Sequence, residues 1–354
     1  MACVVPEFTV RRALRTKVAL FAEKRCTFAG PAGIGGWGPA VSLLFLKIRG
    51  EFMRVMLFVI SVGVSLLTAS ATSGREPSCG RWLTVATYNV CNLFDTINDP
   101  GVQDLVLSPE EFREKVSALA GVVGGLAPDL LALCEVEKAE VVRELAATEP
   151  LDTLPYRVVH YDSPDRRGID VAMLYRADRL RLVASEPIRA PEGYPTRDVL
   201  RAEFELCGTS RRLAVYVLHL PSRRGGYARA AAMREMVAAQ VAELAATEEP
   251  EVGVVVLGDL NDLPSSGLVR RTLAGESSGL RCLTVGPHRR GQGSYAWRDT
   301  WLMYDHILVN GAVDAIGDAR IFRRPEMLTP EGRFRGYPDR RISDHLPVYV
   351  RIFY

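Results

Sequence analysis

VVVLGDLND, residues 254–262, runs four hydrophobic residues straight into Gly258, Asp259, Leu260, Asn261 and Asp262. A continuous β-branched run reads as a central strand covered on both faces. Gly, Asp and Asn then read as a turn. The polar residues have two readings. They are turn formers, or they are a carboxylate and a carboxamide that a buried strand holds still for chemistry. The rest of the chain decides between them.

Outward from this stretch, the body from Arg81 onward shows no linker, no low-complexity tract and no repeat. WLTVATYNV (82–90), DLLALCEVE (129–137), YRVVHY (156–161), GIDVAMLYR (168–176), VLRAEFEL (199–206), RLAVYVLHL (212–220), VGVVVLGDL (252–260), YDHILVN (304–310) and LPVYVRIF (346–353) read as strands. PEEFREKVSALAGVVGGL (109–126) opens with Pro and acids and continues with apolar residues at helical spacing. KAEVVRELAAT (138–148) and the Ala-rich YARAAAMREMVAAQVAELAA (227–246) are the other helices. Many strands with few helices, several joined by reversals rather than crossovers, predict an α+β fold of two stacked sheets with helices outside.

The chain of 354 residues carries a formal net charge of +2, unevenly spread. Residues 1–71 hold nine basic and three acidic residues, leaving 35 basic and 39 acidic for the body. A mildly acidic body argues against a broad nucleic-acid-coating surface but leaves room for a local basic groove. Met53 and Arg54 precede VMLFVISVGVSLL (55–67), and Ala69-Ser70-Ala71 has the small-x-small pattern of a signal-peptidase site. That combination reads as a secretory signal over 53–71, with an apolar run too short for a comfortable membrane span. Residues 1–52 then read as a disordered leader or a mis-assigned start, and 72–354 as the exported body. Cys79, Cys91, Cys134, Cys207 and Cys282 follow the signal, an odd number with no zinc-type spacing. Cys91 and Cys134 fall inside apolar strands and read as buried thiols.

Strand after strand ends in a polar residue that a strand does not need: Asn89, Glu135, Asp170, His219, Asp259 with Asn261, Asp305, and Asp344 with His345. Any one alone is a turn or cap residue. Together they have a chemical logic. Oxygen ligands suit a hard divalent cation such as magnesium, and Glu135 with amide support from Asn89 provides them. A His beside an Asp is tuned as acid or base, which makes His219 and His345 candidates with Asp170 and Asp305 as partners. Asp259 and Asn261 suit polarising a water and binding a developing oxyanion. These parts fit hydrolysis of a phosphate ester.

The motifs TYNVCNLFD (87–95), LCEVE (133–137), RRGIDVAMLY (166–175), LHLPSRRGG (218–226), GDLND (258–262), YDHILVN (304–310) and SDHLPV (343–348) give residues 82–353 a resemblance to the endonuclease/exonuclease/phosphatase superfamily, the deoxyribonuclease I-like group. Each motif is short, and their order and strand-end placement carry the signal. The resemblance implies a four-layer α/β/β/α sandwich of mixed, largely antiparallel sheets with the site at one edge. It implies that Glu135 is the principal ligand of Mg2+ (or Mn2+ or Ca2+), with Asn89 and Asp344 nearby. It implies that Asp259 activates water, with Asn261 as its phosphate-binding neighbour. His345 would contact the scissile phosphate, oriented by Asp305, and His219 would be a second histidine with Asp170 as partner. Arg197, in PTRDVLRAEF (195–204), and Arg223 would bind substrate phosphate. Cys91 departs from the pattern, standing where many relatives carry an acid. It opens a softer metal preference or is a small buried hydrophobe.

The expected substrate is a phosphodiester, foremost a nucleic acid cut by a monomeric exported enzyme. Arginines in LHLPSRRGGY (218–227) and RFRGYPDRR (333–341) would form a basic rim. Inositol phosphates and sphingomyelin are the alternative, and no exposed aromatic hairpin for membrane docking is evident in the sequence. A non-catalytic binding module on the same fold would not need so complete a motif set.

Overall fold

The computed structural model describes residues 82–190, 195–223 and 227–353. The leader and signal assigned to 1–52 and 53–71, and Cys79, lie outside the described residues. The chain runs through β1 (Trp82–Leu93), α1 (Pro109–Leu126), β2 (Leu130–Val136), α2 (Ala139–Ala147), β3 (Tyr156–His160), β4 (Asp170–Arg176), β5 (Leu180–Ile188), β6 (Val199–Leu206) and β7 (Arg212–His219). It continues through α3 (Tyr227–Thr247), β8 (Gly253–Asp259), β9 (Arg281–Cys282), α4 (Val285–Arg289), β10 (Tyr295–Trp297), β11 (Thr300–Leu302), β12 (Asp305–Val309), β13 (Asp314–Ala315), β14 (Arg320–Ile321) and β15 (Val348–Phe353). The expected helices and long strands are all present. The edge strand β5 went unread because its residues are mostly half-buried or exposed, without a clean alternation. No helix among the described residues is long and apolar enough to cross a membrane.

Two sheets form. One has the order β13-β15-β1-β2-β4-β3, with β14 also on β15; the other has the order β5-β6-β7-β8-β12-β9. In each, one inner pair is parallel (β1 with β2, β7 with β8) and the remaining pairs are antiparallel. Side chains alternate between sheet faces. Leu83, Val85, Leu130, Ala132 and Cys134 of the first sheet pack against Val215, Val217, Val255, Leu257, Ile307 and Val309 of the second. The outer faces are covered separately. Tyr88, Leu131 and Leu133 lie under Val116, Leu119 and Val123 of α1 and Leu145 of α2. Tyr216, Val254 and Val256 lie under Val237 and Val241 of α3. This is the α+β sandwich that the sequence predicts. Each fully buried aliphatic side chain contributes roughly 1.5–3 kcal/mol of transfer free energy to it.

Local chemistry sets the helix entry of α1. Ser108 caps it, Glu111 N–H donating to Ser108 Oγ at 3.2 Å and Ser108 N–H to Glu111 Oε2 at 2.8 Å. Pro109 at the first position needs no amide partner.

The opening stretch holds a surprise at Gly258. The residue lies inside β8 rather than at its exit, paired with Leu218 of β7 and His306 of β12. Its φ is +138°, and a Cβ there would stand 1.8 Å from the Leu218 carbonyl oxygen. Glycine lets the two strands approach in a conformation that no side chain tolerates. Gly258→Ala is therefore expected to destabilise the chain by roughly 3 kcal/mol or more, at the upper range for overpacking and backbone strain. A thermal melt would show it, and a variant melting with the wild type would refute the close approach.

Candidate active site

The alternation that builds the core also builds the site. Counting by two along the facing side, Leu83 and Val85 lead to Asn89, Val255 and Leu257 to Asp259, Val215 and Val217 to His219, and Val309 and Ile307 back to Asp305. His219, Asp259 and Asp305 sit level on adjacent strands, since Asp259 pairs with both. Asn89 meets them from the opposite sheet, its Nδ2 donating to Asp259 Oδ2 at 3.0 Å.

Asp259 is buried and closely held. Besides Asn89 it accepts the Asn261 N–H on Oδ1 at 2.8 Å. His345 Nε2 and His219 Nε2 each lie 3.8 Å from its Oδ2. Burial pushes Asp259 up to about 7, partly opposed by the cationic His345. His345 donates from Nδ1 to Asp305 Oδ2 at 2.6 Å. Burial works against its charge, but Asp305, then Asp259 and Asp344, raise it to about 10. His219 goes the other way: burial, then Arg197 and Arg167, hold it well below the ordinary histidine value. The pair is thus one imidazolium and one neutral imidazole. Asp259, Asp305 and His345 present ligand-type atoms within 4.8 Å of one another. Asp305 and His345 are bonded to each other, so the trio reads as a hydrogen-bonded relay rather than a metal nest.

Glu135 and Asp344 face the same cavity, and neither side chain accepts a hydrogen bond among the described residues. Glu135 Oε1 stands 3.7 Å from His219 Nε2, and Asp344 Oδ1 3.9 Å from His345 Nε2. Asn89 Oδ1 accepts the Cys91 N–H at 2.9 Å, which leaves it one further lone pair. Two undonated carboxylates and a carboxamide oxygen make a donor set that fits a hard divalent cation keeping several waters. Cys91 does not alter that. It is half-buried, and desolvation, with Asp344 adding to it, pushes its thiol up to about 12. A protonated thiol is no magnet for a soft ion.

The backbone around the cavity is unusual. Seven described non-glycine residues have positive φ: Cys91, Asn92, Ala127, Glu135, Asn261, Arg298 and Asp299. Ala127 ends α1; the other six lie in or beside the site. The left-handed turn at Glu135 accompanies a slip in the pairing of β2 with β4, between Cys134 and Val136. That slip turns the carboxylate toward the cavity instead of under α1.

Asn89, Glu135, His219, Arg223, Asp259, Asn261, Asp344 and His345 line one cavity of about 540 Å³, with Asp305 behind His345. Two predicted site residues do not join them. Asp170 is not the partner of His219; it bonds His160 Nε2 at 3.1 Å and Ser163, at the start of β4. His219 Nδ1 is left buried with no hydrogen bond. Arg197 is not a substrate arginine. It is buried beneath the site, donating to Asp165 Oδ2 at 2.8 Å and to the carbonyls of His219 and Leu220 at 3.2 and 3.0 Å. A side chain tied to two consecutive carbonyls positions the end of β7. The basic rim is also different from the one expected: Arg167 joins Arg223, and none of the arginines in 333–341 lines the cavity. Asp262 is more than a turn former, since it holds Arg223 by an ion pair.

The sequence reading missed one wall. Tyr295, Trp297 and Tyr304 line the cavity; Tyr295 stacks on Tyr304 at 5.5 Å between centroids and packs on His345 at 4.9 Å. Tyr295 and Trp297 stand two apart on β10, hence on one face of the β10–β11 hairpin, and Trp297 is 45% exposed. An exposed aromatic hairpin therefore does exist. YAW was the available signal, a period-two aromatic pair too short to call a strand. Lys115 on α1 was also unforeseen. Its Nζ donates to the carbonyls of Cys91 and Ile342 at 3.0 and 2.5 Å, pinning the β1 exit to the segment before Asp344. Ser343 does the same, its Oγ donating to Asn89 O at 2.7 Å and accepting from His345 N–H at 3.0 Å.

A profile of the endonuclease/exonuclease/phosphatase family matches residues 84–353. The chain belongs to that family. Its members are phosphoesterase hydrolases. Solved structures agree on the fold. A humanized D. rerio TDP2 carrying 14 mutations aligns with TM-score 0.57 and 18% identity, over 78% of this chain and 100% of that one. The human Nocturnin catalytic domain aligns with TM-score 0.52 and 17% identity, over 77% of this chain and 94% of that one. A mannosyl-6-phosphatase from Bacteroides thetaiotaomicron VPI-5482 aligns with TM-score 0.52 and 17% identity, over 77% of this chain and 100% of that one. A search of curated protein sequences returned no match.

The placement of Arg197 has a direct check. Arg197→Ala removes the closer of the two guanidiniums that neutralise buried Asp165 and leaves only Arg167, which costs up to roughly 3–5 kcal/mol. The expected outcome is a large fall in Tm. A raised KM at unchanged Tm would return Arg197 to substrate binding.

Proposed function

We propose that the chain is a metal-dependent phosphodiesterase that attacks its substrate with water activated by Asp259, and that the substrate is a polynucleotide. The carrying observation is the hold on Asp259: Asn89 from one sheet, the Asn261 amide from its own turn, and two imidazoles at 3.8 Å. A carboxylate raised to about 7 is matched to proton abstraction near neutral pH. His345, cationic against Asp305, holds a non-bridging phosphate oxygen. Neutral His219 and Asn261 complete the cradle around the trigonal phosphorus. Asn261 Nδ2 already donates to Leu220 O at 3.0 Å, which fixes its orientation before substrate arrives. Glu135 and Asp344, with Asn89 beside them, would hold Mg2+, which when bound neutralises phosphate charge; Mn2+ or Ca2+ fits the same oxygens.

The aromatic wall supports a polynucleotide over a sugar or inositol phosphate. Exposed Trp297 and half-buried Tyr304 share the cavity with Arg167 and Arg223, so the same cavity offers ring stacking and phosphate charge. A test panel of plasmid DNA, RNA, an aryl phosphodiester, sphingomyelin and inositol phosphates, with magnesium or with chelator, separates the readings. Cleavage of nucleic acid in magnesium alone is expected. Asp259→Asn and Glu135→Ala should each lower turnover by roughly 10²–10³-fold or more, as loss of one transition-state group does. Glu135→Ala should also abolish the magnesium-induced rise in Tm. Chelator-resistant turnover, or wild-type rates in both variants, would end this reading.

The same proposal includes export. It is supported by the uncharged run 55–67 followed by Ala69-Ser70-Ala71. N-terminal sequencing of the secreted chain is expected to begin near residue 72. A mature chain starting well before residue 69 would overturn it.

A further inference from the structure

The β10–β11 hairpin has two faces and a cavity on each. Tyr295 and Trp297 face the active site; Trp301, paired with Ala296, belongs to the opposite face. Behind it lies a second cavity of about 500 Å³, lined by Trp301, Arg290, Arg320, Arg323, Gln292 and Leu346, with no acidic side chain on its wall. The two cavities share more than the hairpin. Leu346 follows His345, and its N–H donates to Ser294 O at 2.8 Å, next to Tyr295.

The three guanidiniums are not neutralised in equal measure. Arg290 Nη1 lies 3.2 Å from Asp318 Oδ2, a pair exposed to solvent on both sides. Arg323 stacks on Trp301, its Cζ 4.9 Å from the ring centroid, and donates to Gly336 O at 2.7 Å. Stacking and one bond fix its plane while other N–H donors remain. Arg320, exposed on β14, has no ion pair or side-chain hydrogen bond among the described residues. Three arginines around one cavity, one ordered by stacking on an indole and one unpaired, form an anion site of the kind that takes a phosphate group.

We propose that this cavity is a second phosphate subsite for the polynucleotide strand whose scissile phosphate lies in the active-site cavity. The proposal rests on the polynucleotide reading above. The separating wall is a two-stranded ribbon with side chains on both faces, roughly 10 Å through. A polynucleotide carries a phosphate at every nucleotide, so phosphates further along the strand can reach past such a wall whatever the strand's sequence. The strand would pass over the hairpin turn at Arg298 and Asp299, with a base against Trp297. The subsite therefore adds length-dependent affinity without reading bases.

The test is fluorescence anisotropy of the full chain with a labelled single-stranded 12-nucleotide DNA, in chelator, over a sodium chloride series. Turnover of bis(4-nitrophenyl) phosphate in magnesium is the control. Arg320→Ala/Arg323→Ala is expected to weaken binding roughly tenfold and to reduce the salt slope by about 0.7 per lost phosphate contact. Aryl phosphodiester turnover should stay at the wild-type value. Because Arg323 also packs on Trp301, Arg320→Glu is the second variant; it should weaken binding further, and Arg320→Lys should restore most of it. Wild-type affinity and slope in the double variant and in Arg320→Glu overturn the subsite. So does no binding by the wild type, or an equal loss on the small substrate, which would place the effect in the shared active site. Binding that depends on Arg320 without any cleavage of nucleic acid supports the subsite and counts against the hydrolysis reading alone.

Discussion

The hydrogen bond from Asn89 to Asp259 is the point on which the molecule turns. It joins residues 170 apart in sequence and spans the gap between two sheets that meet chiefly through hydrocarbon. Its existence follows from the pleat. A strand that sends every second residue into the core must send the next one in line toward the same gap when the core ends. The hydrophobic contacts set the spacing of the sheets, and the spacing sets the distance at which the two polar rims face each other. Core packing and site geometry are one measurement taken at two places along the same strands.

Burial at that rim then sorts the charges. Asp259 and Asp305 are nearly sealed from water, and burial raises Asp259 toward its neutral form. One imidazolium between them makes the arrangement tolerable, and its proton is fixed on the Asp305 side by a short bond. Burial, with Arg197 and then Arg167 adding to it, denies His219 a charge of its own. Arg197 thus acts without lining the cavity: it ties down the end of β7 and adds to the burial that holds the histidine there neutral. Electrostatics of this kind depends on the supporting shell as much as on the lining.

Much of this was legible in the chain. The long strands announce themselves by alternation or by unbroken Val and Leu runs, and the polar residues at their ends, Asn89, Glu135, His219, Asp259, Asp305 and His345, do come together in and behind one cavity. What failed was pairing. Asp170 and His219 each end a strand, but nothing in sequence says that β4 lies a strand beyond β2, where His160 claims the carboxylate. Arg197 failed for the opposite reason. An arginine beside a strand is usually exposed, and only the folded chain shows two carbonyls and Asp165 closing around it. The aromatic wall was missed because three-residue strands carry too little periodicity to register, although Tyr295 and Trp297 are adjacent on one face once the hairpin exists. Ser343 and Lys115, bridging backbone segments far apart in the chain, have no sequence signature at all.

The left-handed residues around the cavity carry a last consequence. Glu135, Asn261, Cys91, Asn92, Arg298 and Asp299 each hold a conformation that costs of order 1 kcal/mol or more for a side chain other than glycine. The strain sits almost wholly where the chemistry is, so the most stable sequence for this backbone is not the working one. Selection or design for heat resistance alone would drift toward glycine at these positions, and would strip out carboxylate, carboxamide and turn geometry together. The core has room to be improved without harm; the rim does not.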